Sequence, residues 1–169
     1  GEFFDEMYLN TPWEQHYENL DGRTILDRLA SVKYFVVKNN RYQYVPYGYY
    51  WLEGSAEKNG KIYEAFGSEE ALPLGYTYDS FIPGEEYEKM TVTEKQQALL
   101  QGIVLEDSSL PEITPEFNDQ EIPYEIRKGK GCSVKDGKIK VTKEGAKLEL
   151  LFNGLENSET YLIAEGLDY

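Results

Sequence analysis

Aromatic side chains are concentrated between Tyr42 and Trp51, where six of ten residues carry a Tyr or Trp ring. Flat rings pack against the C–H faces of pyranoses, so this cluster is typical of a sugar-stacking platform. The candidate residues for such a platform are Tyr47, Tyr49, Tyr50 and Trp51. Two other interpretations fit the same pattern: a sheet whose rings are buried against a helix, and a protein interface.

Basic side chains form a second cluster, in which residues 127–147 hold eight Lys or Arg and only two acids, Asp136 and Glu144. Segregated positive charge in an acidic chain can dock an anionic polymer or lipid headgroups. The alternative is the solvated face of an antiparallel hairpin, where lysines also discourage edge pairing. The candidate binding residues in this cluster are Arg127, Lys128, Lys138 and Lys140.

The sequence contains few residues in patterns that are typical of a catalytic site. Cys132 and His16 are the only cysteine and the only histidine, so an internal disulfide is impossible and a zinc site is improbable. A Cys–His nucleophile pair is possible by number, but Cys132 lies in an alternating strand pattern and is expected to pack. The carboxylates are too many to choose a glycosidase pair, which is defined by spatial separation. We expect no catalytic residue, no metal and no cofactor.

Charge and hydropathy exclude further classes of protein. The 169 residues carry 17 Lys or Arg against 31 Asp or Glu, a net charge of −14, which argues against nucleic-acid binding. The longest apolar runs hold a few residues, whereas a transmembrane helix needs about 20. The opening residues lack the basic and apolar regions of a signal peptide. Both ends look cut, so we expect a piece of a longer protein.

Hydrophobic periodicity predicts a helix that opens at residues 21–24 and places Ile25, Leu26 and Leu29 on one face. Thr91 and Glu94 match a capping box, followed by a helix with Val92, Leu99 and Ile103 on one face and Gly102 as its terminator. The strands predicted around these two helices are 32–37, 42–51, 61–66 and 74–82, with a turn at 59–60 and a stop at 83–84.

A composition shift divides the chain. Residues 107–123 hold three prolines and five acids, which indicates a linker. Residues 1–124 carry 9 basic and 23 acidic groups, whereas residues 125–169 carry 8 of each. Beyond the linker, alternation predicts the strands 131–135, 138–142, 147–152 and 160–164, and gives the hairpin one apolar and one lysine-lined face.

Four stretches, taken in order, resemble the extracytoplasmic region of the YfhO family of bacterial membrane proteins. They are Gly22–Leu29 running into Val32–Val36, then Ala71–Tyr76, then the helix Glu94–Leu100 running to Glu106, and finally Asn157–Leu162. The resemblance covers residues 22–169.

This resemblance implies a soluble segment on the extracytoplasmic face of the bacterial membrane, part of a multi-pass protein. Members of the family are similar to polyprenyl-phosphate-dependent glycosyltransferases that decorate envelope glycopolymers such as teichoic acids. The catalytic acid of such enzymes lies in a loop of the membrane core, so no catalytic residue transfers to this chain. The implied partners are that membrane core and an envelope glycopolymer or anionic lipid headgroups, with no nucleic acid.

The sequence therefore predicts an α+β fold: a mostly antiparallel sheet with two helices, followed by a smaller β-sandwich-like portion. The predicted parts are a mixed α+β region over 1–107, a linker over 108–123, and a β-rich region over 124–169 that is cut at its C-terminal end. The predicted function is a non-catalytic domain for acceptor binding, positioning or assembly. The alternatives are a free-standing carbohydrate-binding module, an envelope scaffold for protein partners and a secreted hydrolase.

Overall fold

A computed structural model describes residue 20 and residues 22–163 of the chain. The chain forms two compact units, residues 1–119 and residues 120–169. Short helices and mainly antiparallel strands confirm the predicted α+β class. His16 lies outside the described residues.

The first unit contains a three-stranded antiparallel sheet with the strand order β1-β3-β2. Its strands are β1, Tyr34–Lys38; β2, Tyr50–Lys58; and β3, Lys61–Gly67. The β2–β3 hairpin turns at Asn59 and Gly60, whose φ angles of 54° and 68° fit the predicted two-residue turn. A register shift between Trp51 and Ser55 marks a bulge in β2.

The helices are α1, Thr24–Leu29; α2, Gly84–Glu88; and α3, Val92–Ala98. A short parallel pair joins β4, Phe81–Pro83, to β5, Ile103–Leu105. The buried core brings together Leu26 of α1, Ile82 of β4, Tyr87 of α2 and Ala98 of α3. The sequence predicts α1 and α3 but misses α2, because Pro83 and Gly84 stop a strand and also begin this helix.

The predicted capping box is confirmed at the start of α3. The Glu94 backbone N–H donates to Thr91 Oγ1 over 3.3 Å, and the Thr91 N–H donates to Glu94 Oε2 over 2.7 Å. The extension of this helix to Ile103 is wrong, since α3 ends at Ala98 and Ile103 begins β5. Gly102 lies between α3 and β5, where the backbone packs closely against β4. A Cβ at this position would lie only 3.2 Å from the Ile82 side chain, so glycine permits the close approach.

The prediction of one strand over residues 42–51 is wrong in its first part. Residues Tyr42–Tyr44 form a 3-10 helix, and β2 begins at Tyr50. Pro46 removes a backbone donor that a sheet ladder would use, and Gly48 takes a φ of +81°, so the chain turns here. The alternating rings reflect local anchoring of a turn rather than the pleat of a strand.

The predicted strand over residues 74–82 is also largely wrong, because only its end, in β4, is a strand. The alternating tyrosines of this stretch hold an irregular segment by their hydroxyls: Tyr76 donates to the Leu29 carbonyl over 3.3 Å, and Tyr78 donates to the Leu99 carbonyl over 2.5 Å. Tyrosine hydroxyls that reach helix-end carbonyls give the same alternation as a strand.

The second half of the Pro-rich stretch is attached to the first unit by α3 and the turn that follows it. Gln101 Oε1 accepts from the Glu116 N–H over 3.0 Å, and Gln101 Nε2 donates to the Glu116 carbonyl over 2.8 Å. One helical turn earlier, Gln97 Oε1 accepts from the Asn118 N–H over 3.1 Å. Two side-chain amides spaced four residues apart thus bind alternate residues of an extended segment.

The second unit consists of two antiparallel pairs, β6 with β9 and β7 with β8. These strands are β6, Tyr124–Lys128; β7, Cys132–Lys135; β8, Lys138–Val141; and β9, Leu148–Phe152. The sequence predicts β7, β8 and β9 and misses β6. The strand predicted over 160–164 is wrong for residues 160–163, which have no strand geometry, and residue 164 lies outside the described part.

Candidate functional site

The segment that carries most of the predicted aromatic cluster is anchored to α1 and to the sheet. Thr24 Oγ1 donates to the Tyr47 carbonyl over 2.6 Å. Tyr42 Oη donates to Glu64 Oε2 over 2.6 Å, and the Tyr42 ring meets the Phe66 ring edge to face, with centroids 6.0 Å apart. These contacts fix the Tyr42 ring against the sheet face that carries Glu64 and Phe66, and they tie the Tyr47 backbone to α1.

Tyr49 is a structural member of the cluster. Its hydroxyl donates to the Val32 carbonyl over 2.5 Å, and its ring meets Phe35 edge to face at 5.4 Å. Burial, followed by the negative charge of Asp27, raises the pKa of Tyr49 to about 12. A hydroxyl that is already bonded and a ring that already packs leave little surface for a ligand.

The other three predicted rings are accessible. Tyr47, Tyr50 and Trp51 are 48%, 49% and 49% exposed. Tyr50 and Trp51 do not share a surface, because Tyr50 pairs with Gly67 and Trp51 pairs with Phe66 on neighbouring positions of β3. Adjacent strand residues point to opposite faces of a sheet, so the structure divides the predicted platform between two faces.

Tyr34 is an exposed ring that the sequence analysis does not single out. It is 59% exposed and pairs with Gly67 from the β1 side, so it lies on the same sheet face as Tyr50. The signal that would have found it is the strand register, since Tyr34 and Tyr50 are distant in sequence and meet only through β3.

Lys138 and Lys140 lie on one face of the β7–β8 hairpin. Lys138 pairs with Lys135 and Lys140 pairs with Ser133, so this face carries no carboxylate on its strands. The opposite face is apolar, as the alternation predicts, but Ile139 and Val141 on it are 53% and 65% exposed.

Arg127 and Lys128 lie on a different strand pair from the hairpin lysines. Arg127 is exposed in β6, and its Nε is 3.6 Å from Glu125 Oε1. Lys128 is the last residue of β6 and pairs with Leu148 on β9. The structure therefore does not place the four predicted basic residues on one ladder: Lys138 and Lys140 belong to one pair of strands, and Arg127 and Lys128 to the other.

Cys132 is a free, half-buried thiol whose Sγ contacts the Lys147 carbonyl at 3.1 Å. Over residue 20 and residues 22–163, three or more His, Cys, Asp or Glu side chains do not gather in a geometry that could hold a metal ion. In the same part of the chain, no helix is long and apolar enough to cross a membrane.

A family model described as bacterial membrane protein YfhO matches residues 1–167. No curated protein and no solved structure matches the chain significantly.

Proposed function

This chain belongs to the YfhO family of bacterial membrane proteins, and we propose on that premise that it is the extracytoplasmic domain of a polytopic glycosyltransferase. Its parent enzyme would use a polyprenyl-phosphate sugar donor and act on glycopolymers of the cell envelope. The domain itself would bind or position the acceptor polymer, while the reaction takes place in the membrane core. The match over residues 1–167 is the observation that carries this proposal.

Accessible aromatic rings support a role in acceptor binding. Tyr47 and Tyr50 are about half exposed, and among the described residues their hydroxyls have no hydrogen-bond partner. A half-exposed ring keeps surface on which the C–H face of a sugar can stack.

Accessible positive charge supports an anionic acceptor. The lysines of the second unit from Lys130 to Lys147 have no carboxylate within 4.0 Å in the part of the chain that the structure describes. The positive charge of lysines without an internal ion pair is not compensated by a nearby carboxylate and can attract an anionic partner, and this attraction weakens as salt is added.

The proposal is tested by binding of the whole 169-residue chain to a purified teichoic acid, to neutral dextran and to anionic vesicles of phosphatidylglycerol and phosphatidylcholine, at low and high salt. We expect salt-sensitive binding to the teichoic acid. A chain that binds none of these, but retains protein partners in a pull-down, would instead be an envelope scaffold. Turnover of a glycan by the isolated chain would contradict the non-catalytic role.

A further inference from the structure

In the three-stranded sheet of the first unit, the charged residues that pair across the ladder are separated by face. Strand register places Tyr34, Lys38, Tyr50, Lys58 and Lys61 on one face, which we name the lysine–tyrosine face. The carboxylates that pair across the ladder lie on the other face: Glu64, opposite Val37 and Ser55, and Glu57, opposite Ile62. All three lysines of the sheet therefore share one face, and the paired carboxylates share the other.

This separation is unusual in its setting, because residues 1–124 carry 9 basic and 23 acidic groups. None of the three lysines has a carboxylate within 4.0 Å among the described residues. Lys58 and Lys61 are paired directly across the hairpin end, an arrangement of like charges that destabilises a sheet. Lysines on the edge strands of a sheet discourage pairing with other chains. This role does not account for Lys61, because β3 is the central strand. A bound anion would relieve this repulsion.

The opposite end of the same face is aromatic. Tyr34 and Tyr50 flank Gly67 across the three strands and are 59% and 49% exposed. Two strand spacings separate their backbones by about 10 Å. A Cβ at Gly67 would lie 3.2 Å from the Leu52 side chain, so Leu52 covers the glycine between the two tyrosines. Lys33 Nζ lies 5.7 Å from the centroid of the Tyr34 ring and adds positive charge at this end.

Rings and cations together favour a ligand with both sugar and charge. The net negative charge of the rest of the chain repels an anionic polymer. Part of the affinity for such a polymer therefore has to come from contact with the rings. The apolar side chains beside the rings on this face include Val36, which is 62% exposed and pairs with Ala65, and the half-buried Leu52. That surface is small for insertion into a bilayer, whereas a pyranose ring fits a half-exposed tyrosine.

We propose that the lysine–tyrosine face binds an anionic glycan. Its sugar rings stack on Tyr34 and Tyr50, and its phosphate or carboxylate groups lie at Lys38, Lys58 and Lys61. The inference names the acceptor class and the surface for the role proposed above, and it rests on that proposed function.

The test measures binding of the full chain to four polymers by affinity electrophoresis and calorimetry. Teichoic acid and hyaluronan combine sugar with phosphate or carboxylate, dextran is a sugar polymer without charge, and polyphosphate is charged without sugar. We expect binding to the first two, at least about tenfold weaker binding to polyphosphate, and none to dextran. Phosphatidylglycerol vesicles serve as the membrane probe.

Variants assign the binding to the surface. We expect K58Q/K61Q to weaken binding to the charged glycans by about tenfold and to make its salt dependence shallower. Tyr34→Ala should weaken it while Tyr34→Phe retains it, since the stacking ring is kept. K138Q/K140Q removes two exposed lysines from the second unit and tests the rival surface. The control is Lys89→Gln, which removes an exposed lysine at the end of α2 that pairs with Glu86. Circular dichroism of each variant checks that the fold is intact.

The outcomes distinguish a failure of this inference from a failure of the proposed function. A wild-type chain that binds no glycan contradicts both. Glycan binding that is lost in K138Q/K140Q but not in K58Q/K61Q overturns the inference and leaves the proposed function intact. If polyphosphate binds as tightly as the charged glycans, and Tyr34→Ala does not change its affinity, the surface binds anions without specificity and the inference is overturned. Tighter binding to the vesicles than to the charged glycans also overturns it.

Discussion

Tyr50 and Trp51 are neighbours in β2 but lie on opposite faces of the three-stranded sheet, because Tyr50 pairs with Gly67 and Trp51 with Phe66. Both rings are 49% exposed. Any ligand that binds one sheet face meets one of these residues and not the other. The pair therefore works as an internal control that reports which face a ligand uses.

Replacement of each ring by alanine separates the two faces. We expect Tyr50→Ala to weaken binding of an anionic glycan by roughly tenfold, because the ring lies on the face that carries the lysines. Trp51→Ala should leave the affinity unchanged within about twofold. Calorimetric titration of both variants makes the comparison. A loss confined to Trp51→Ala would assign the ligand to the opposite face and contradict the lysine–tyrosine surface.

Alkaline stability should depend on two tyrosines with raised pKa values. Burial raises the pKa of Tyr49 and of Tyr78 from 10.0 to about 12. Between pH 10 and pH 12 the folded chain keeps these protons while the unfolded chain releases them, so the free energy of unfolding falls as the pH rises. It should be constant, as far as these groups are concerned, below pH 10. Urea unfolding at a series of alkaline pH values measures the slope.

Tyr49→Phe tests the assignment. We expect a loss of about 1 kcal/mol at neutral pH, because the hydrogen bond to the Val32 carbonyl is removed, and a shallower fall between pH 10 and pH 12. Tyr44→Phe is the matched control, since Tyr44 is 61% exposed. An unchanged slope in Tyr49→Phe would show that its hydroxyl titrates normally.

Gln101 should hold the Pro-rich segment on the first unit. Its side-chain amide bonds both the N–H and the carbonyl of Glu116, and water replaces these bonds only in part. We expect Gln101→Ala to destabilise the chain by about 1 kcal/mol and to speed limited proteolysis within residues 106–120. Gln43→Ala, at an exposed position of the 3-10 helix, is the control. Equal cleavage rates in the two variants would show that the segment is held by other contacts.

The capping box of α3 makes a second stability prediction. Thr91→Ala removes the acceptor for the Glu94 N–H and should lower the free energy of unfolding by about 1 kcal/mol, whereas Thr91→Ser should retain most of it. Denaturant unfolding of the three proteins decides the matter. Identical stabilities for the alanine and serine variants would mean that the cap contributes nothing measurable.

Short sequence motifs correctly predicted the elements that form through interactions between neighbouring residues. The capping box located α3, Asn59 and Gly60 located the β2–β3 turn, and alternation located the β7–β8 hairpin. The errors came from tyrosines whose alternation resembles a strand. The hydroxyls of Tyr42, Tyr76 and Tyr78 donate hydrogen bonds to a carboxylate or to carbonyls at helix ends. These bonds join distant segments, so only the tertiary structure reveals them.

The candidate site was less predictable than the fold, because it depends on register. The local run of rings pointed to residues 47–51, but Tyr34 joins Tyr50 only through β3. The three sheet lysines are dispersed over residues 38–61 and form no cluster or motif in the sequence. A pairing that is set between distant segments cannot be read from either segment alone.

The central claim, that this chain is the extracytoplasmic part of a membrane protein, is tested most directly in cells. An antibody against the 169 residues is used to blot fractions of the source bacterium, with and without protease applied to intact cells stripped of their wall. We predict a large band in the membrane fraction that the external protease shortens. A band that the protease reaches only after lysis, or a soluble band no larger than this chain, would contradict the claim.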